Sequence, residues 1–153
     1  MKLSNNFSLS EFIESDTAER EGIDNNPTAD HLHNMVALCE NVLQPLRERL
    51  GISIRVNSGY RSKALNSALK GSSSSEHCKG MAADIKLVVN GVNKSEILYN
   101  TILSMDIPFR QMIWEFGDDE TPRWVHVSYN ANDNKRQCLK AYKEGGKTKY
   151  KAI

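Results

Sequence analysis

A chain of 153 residues, 39% hydrophobic and 25% charged, has the length and balance of a single globular domain, 1–153. A domain of this size buries roughly 70% of the surface its unfolded chain exposes, and its three cysteines, Cys39, Cys78 and Cys138, are odd in number and match no disulfide framework, so they read as reduced thiols. A net charge of +1, from 20 basic and 19 acidic residues, gives no reason to expect nucleic acid, and no apolar run is long enough for a membrane span.

In chain order, Ser8 and Glu11 form a capping-box pattern that predicts a short helix. Gly22 to Pro27 reads as a turn region. A long amphipathic helix follows from Thr28 to Leu50, because Leu32, Met35, Val36, Cys39, Val42, Leu43, Leu46 and Leu50 keep the 3.6-residue period. Pro45 predicts a kink or break within it, and Gly51 a stop. Ile52 to Asn57 alternates as a strand, Ser62 caps a short helix to Leu69, and Gly71 to Glu76 is a polar loop. A strand is predicted over Met81 to Val89, ended by Asn90-Gly91, and then a helix capped by Asn93 and running to Leu103. Arg110 to Phe116 and Trp124 to Tyr129 read as strands joined by the loop Gly117 to Pro122, and Gln137 to Tyr142 as one more. The class is α+β, with N-terminal helices packed on a small, mostly antiparallel sheet. The basic stretch from Lys135 to Lys151 reads as a solvated face, with attraction to an anionic polymer as the functional alternative.

Two of the four histidines stand in suggestive company. His77 precedes Gly80 and Asp84, and His126 lies in the strand Trp124-Val125-His126-Val127-Ser128. A catalytic zinc takes three such protein ligands, imidazole nitrogens and carboxylate oxygens, and keeps a fourth position open. Taken singly, a histidine in a strand is more often a packed or hydrogen-bonded residue.

Three elements together are more specific. Gly59-Tyr60-Arg61-Ser62, then Ser75-x-His77-x-x-Gly80-x-Ala82-x-Asp84, then Trp124-Val125-His126-Val127 resemble the zinc D-Ala-D-Ala peptidase family, peptidase family M15. That family includes D-Ala-D-Ala carboxypeptidases, vancomycin-resistance dipeptidases and phage endolysins, and shares its fold with the metal-binding half of Hedgehog domains. The phage and bacterial carboxypeptidase-like branch is the most similar, through Asn6-Phe7-Ser8-Leu9-Ser10-Glu11-Phe12 and Leu43-x-Pro45-Leu46-Arg47 as well. The resemblance implies a zinc metallopeptidase acting on a peptidoglycan stem peptide, as carboxypeptidase or endopeptidase. It implies one zinc held by His77, Asp84 and His126, with Arg61 facing the substrate, the alternative being a salt bridge that only anchors its loop, and Ser75 lining the cleft or equally capping its loop. Trp124 reads as lining the cleft or filling the core. A monomer is expected. The N-terminus, MKLSNNFSLSEF, has no apolar segment of signal-peptide type. The expectation is therefore a phage- or prophage-type product made in the bacterial cytoplasm that acts on the wall after release.

The catalytic base is where the sequence departs from the family pattern. Many relatives carry an acid three positions before the last zinc histidine, and here that position is Arg123. The candidates are Glu115, Asp118, Asp119 and Glu120. If Phe116 pairs with Arg123 across the hairpin, Glu115 pairs with Trp124 and shares the face of His126; a one-residue slip puts it on the other side. Glu115 is the expected base. His31 and His33, two apart on a helix, do not share a face, and Cys78, adjacent to a ligand position, is left out of the ligand set. The alternative is a non-catalytic, zinc-containing wall-binding or virion structural module. Glu115 pointing into the core would favour that alternative.

Overall fold

The computed structural model describes residues 1–153. Strands β1 (Lys2–Ser4) and β2 (Phe7–Ser8) pair at the start of the chain, ahead of helix α1 (Leu9–Ile13). The capping box forms: the Ser8 backbone N–H donates to Glu11 Oε2 at 2.7 Å. Helix α2 (Asp16–Glu21), which the sequence reading passed over, is capped by Ser15, whose hydroxyl accepts from the Ala18 N–H, and it ends at left-handed Gly22.

The long helix is one continuous helical run in three parts: α3 (Ala29–Leu38), a π-helical segment (Cys39–Leu43) and α4 (Gln44–Leu50). Thr28 caps it, accepting from the His31 N–H. Pro45 neither breaks nor ends it. The Gln44 N–H reaches back to the Cys39 carbonyl, five residues away, and this wider turn relieves the clash a proline ring makes with the carbonyl four residues before it.

The remaining elements are β3 (Arg55–Ser58), α5 (Lys63–Ala68), a 3₁₀ turn (Glu76–Lys79), β4 (Ala82–Lys86), β5 (Val88–Val89), β6 (Val92–Asn93), α6 (Glu96–Ser104), β7 (Gln111–Glu115), β8 (Trp124–Ser128), β9 (Gln137–Glu144) and β10 (Lys147–Ala152). Six strands form one sheet in the order β10-β9-β7-β8-β4-β3. All neighbours in it are antiparallel except β7 and β9. The molecule is thus a mixed α+β fold. Three expectations need correction. The strand placed over 81–89 divides, because its last part leaves the main sheet to form the β5–β6 hairpin around Asn90-Gly91. The helix placed from Asn93 begins at Glu96; Asn93 lies in β6 and its carboxamide oxygen accepts from the Ser95 N–H and hydroxyl. β10 was not foreseen, and the strand placed over Gln137 to Tyr142 extends to Glu144 to pair with it.

One cluster of 23 buried residues contains Met35, Leu38, Cys39, Val42, Leu43 and Leu46 of the long helical run together with Ala83, Ile85, Met112, Trp114, Val125 and Val127 of the sheet. Strand alternation then decides what the other face carries. Between Ala83 and Ile85 stands Asp84, between Val125 and Val127 stands His126, and beside Trp114 stand Ile113 and Glu115. The apolar face fixes the sheet, and the alternate residues are left to line a cleft.

Candidate active site

Cross-strand pairing places the site residues in rows. Ser58, Asp84, His126, Ile113 and Leu139 are successive partners across β3, β4, β8, β7 and β9. The next row on the same face runs Trp124, Glu115, Ala141, Tyr150. Glu115 therefore pairs with Trp124, in the register expected. A cleft of about 710 Å³ lies over these rows, and Arg61, Ser75, His77, Asp84, Glu115, Trp124 and His126 all line it.

His77 comes from the 3₁₀ turn. Ser75 caps that turn by accepting from the His77 N–H at 3.3 Å, so its hydroxyl both lines the cleft and shapes the loop. Gly80 ends the turn with φ +73, and a Cβ there would stand 2.4 Å from the His31 carbonyl oxygen of α3. Only glycine allows both that left-handed bend and the close approach of the helix.

The three metal-ligand candidates converge. His77 Nε2 lies 3.3 Å from Asp84 Oδ1, and His126 Nδ1 lies 3.0 Å from the same oxygen. One ligand atom from each residue falls within 4.8 Å of the others. His77 Nδ1 is 2.7 Å from the Gly59 carbonyl oxygen. A carbonyl only accepts, so Nδ1 carries a proton and Nε2 is the nitrogen that faces the carboxylate oxygen. Two imidazoles with one carboxylate form a donor set suited to zinc.

Electrostatics sharpen the picture. Burial alone would raise the Asp84 pKa, but His77 and His126, by charge and hydrogen bonding, hold it well below the usual carboxylate range. Glu115 goes the other way: burial and the negative Asp84 push it up to about 7, against a weaker pull from His126. Glu115 is 8% exposed and faces the cleft.

Arg61 is held by three neighbours. Nε donates to Ser58 Oγ at 3.1 Å, one terminal nitrogen to Asn66 Oδ1 at 3.4 Å, and the other stands 3.5 Å from Asp84 Oδ2. The guanidinium thus both anchors its loop and lines the cleft. The rival acids lie elsewhere. Asp118 accepts the Glu120 and Thr121 N–H groups at 2.8 Å each, which organises the hairpin loop. Asp119 pairs with Lys140, and Glu120 is exposed. None of the three lines the cleft. His31 bonds the Tyr60 hydroxyl at 3.1 Å, His33 is exposed, and Cys78 is buried outside the converging group.

Several contributors escaped the sequence reading. The Gly59 carbonyl orients His77, and a backbone group leaves no sequence signal. Asn66, 3% exposed, ties the serine-rich loop down by donating to the Ser72 carbonyl at 2.8 Å while it holds Arg61. Leu139, Thr148 and Tyr150 form a further wall from the C-terminal hairpin. The signal for that hairpin was the Gly145-Gly146 pair, both residues with positive φ between two alternating segments. No helix is long and apolar enough to cross a membrane. Among known proteins, a family model described as Peptidase M15 matches residues 5–128. No curated protein matches the chain.

Proposed function

The chain belongs to the Peptidase M15 family, and on that premise we propose that it is a zinc-dependent peptidase, formed by a single monomeric domain, that hydrolyses the peptide part of bacterial peptidoglycan as a carboxypeptidase or endolysin-type endopeptidase. The carrying observation is the convergence of His77 Nε2 and His126 Nδ1 on Asp84 Oδ1, in a cleft that also holds a buried acid on the same sheet face. A zinc ion held by these three residues would polarise the scissile carbonyl and make a water molecule nucleophilic near neutral pH.

Glu115 is the general base. Its place on the cleft face supports an enzyme over a binding module, because a carboxylate there has access to the attacking water. It takes the proton from that water and passes it to the leaving amine. In the metal-free chain burial and the negative Asp84 push the Glu115 pKa up to about 7, and a zinc ion held at Asp84 would draw it back down toward the ionised form a base needs. The Arg61 guanidinium is already oriented by Ser58 and Asn66, so it is placed to hold a substrate carboxylate or the developing oxyanion. Trp124 and Ser75 line the substrate path.

The test is digestion of purified peptidoglycan with mass analysis of the fragments. Zinc-loaded protein is expected to release peptide fragments with free new termini. A chelator should stop release, and added zinc should restore it. Intact peptidoglycan after prolonged incubation with the zinc-loaded protein would overturn the peptidase reading.

A further inference from the structure

The family match ends at residue 128, the last residue of β8, and the β9–β10 hairpin follows it in the chain. The hairpin nevertheless continues the sheet that carries the site. β9 pairs in parallel with β7, Glu115 opposite Ala141, and β10 pairs with β9, Ala141 opposite Tyr150. Alternation along β10 sends Lys147, Lys149 and Lys151 to one face and Thr148 and Tyr150 to the cleft.

Tyr150 is 54% exposed, so core packing does not account for it. Its cross-strand neighbour toward Glu115 is Ala141, a small and fully buried residue. Two strand spacings, roughly 10 Å, separate the backbones of Tyr150 and Glu115. Trp124 stands on the opposite side of Glu115, so two aromatic side chains bracket it in one row. Beside Tyr150, Leu139 adds an apolar surface, and the Thr148 hydroxyl, which accepts from Lys143 Nζ at 2.8 Å, keeps its own proton to donate.

We propose that the C-terminal hairpin supplies a substrate subsite, in which Tyr150, with Leu139 and Thr148, holds a peptide residue next to the bond attacked beside Glu115. The ring and Leu139 take a small aliphatic side chain, and the hydroxyls donate to a backbone carbonyl or carboxylate of the peptide. Burial and the negative Glu115 and Asp84 push the Tyr150 phenol up from its ordinary value, which keeps it a neutral donor. The inference rests on the peptidase reading and assigns its substrate contacts to a segment beyond the matched residues.

The probe is the set of soluble disaccharide stem peptides that a muramidase releases from peptidoglycan. Hydrolysis is followed for the unaltered zinc-loaded protein and for Tyr150→Ala and Tyr150→Phe. Binding of the same peptides is measured by calorimetry in a Glu115→Gln background. Tyr150→Ala is expected to raise KM and Kd about tenfold, the effect of one lost contact of this kind, with kcat changed far less. Tyr150→Phe should recover the ring's share of the affinity. Zinc content and melting temperature should not move, since the side chain is half exposed. If the unaltered protein cuts the peptides and Tyr150→Ala leaves KM and Kd where they were, the subsite is overturned and the peptidase reading stands. If the unaltered protein neither cuts nor binds them, the peptidase reading falls and the subsite with it.

Discussion

Asp84 faces three cationic or potentially cationic partners at once, with Oδ1 toward His77 and His126 and Oδ2 toward Arg61. This is a candidate donor set in which one member would bring the negative charge to a bound metal. Purified protein should bind about one zinc per chain, and His77→Ala should lose tight binding; full zinc content in that variant would reject the ligand set. Arg61→Lys keeps the charge but loses the planar fork that meets Ser58, Asn66 and Asp84 together, so turnover should drop while zinc is retained. Unchanged kinetics would reduce Arg61 to a loop anchor. Glu115 offers a stability test without metal. Its folded pKa of about 7 lies above the ordinary 4.5. Between those values the folded chain keeps a proton that the unfolded chain has lost, so the Glu115 contribution to stability is present below pH 4.5 and is lost as pH rises through 7. Metal-free protein should melt at lower temperature at pH 8 than at pH 5, and Glu115→Gln should flatten that slope. Parallel melting profiles for the two proteins would contradict the buried, cleft-facing placement.

At the scale of elements, legibility followed periodicity. The long helical run was plain because its apolar positions recur every three to four residues over Leu32 to Leu50. The β7–β8 register rested on one assumed pair, Phe116 with Arg123, with a one-residue slip left open, and the structure has Glu115 opposite Trp124 and on the cleft face. Where local pattern gave out, so did the reading. β10 alternates lysine with Thr148 and Tyr150 and lacks an apolar face, so it resembles a solvated tail; backbone pairing with β9 makes it a strand. The break between β4 and β5 is invisible in the stretch Ile85 to Val89, where only Lys86 is polar, because the change of partner strand is a tertiary event. The metal-ligand candidates were legible as a spaced motif, whereas the Gly59 carbonyl that orients His77 and the Asn66 side chain that holds Arg61 were not. Gly80 joins motif to mechanics. In Gly80→Ala the left-handed backbone costs about 1–2 kcal/mol, and the clash with the His31 carbonyl, which belongs to a helix and yields little, adds to it. Thermal denaturation should show a drop of several degrees, roughly 2–4 °C per kcal/mol at this size, together with weaker zinc binding. An unchanged melting temperature would mean that the turn relaxes freely.

Across the whole molecule, one apolar cluster shared by helices and sheet holds the strands in register, and that register delivers Asp84, His126 and Glu115 to one cleft. The first and last thirds of the chain both contribute. The α3 backbone packs under Gly80, and the β9–β10 hairpin closes the far wall with Tyr150. In the proposed function this cleft hydrolyses wall peptide with Glu115 as its base. The most direct test compares the unaltered protein with Glu115→Gln, each loaded with zinc to the same measured content, on one preparation of purified peptidoglycan. New termini are counted over time. The prediction is a fall in rate of roughly 10² to 10⁴ for Glu115→Gln, with Glu120→Gln close to the unaltered protein. Equal rates for Glu115→Gln and the unaltered protein, at equal zinc content, would contradict it.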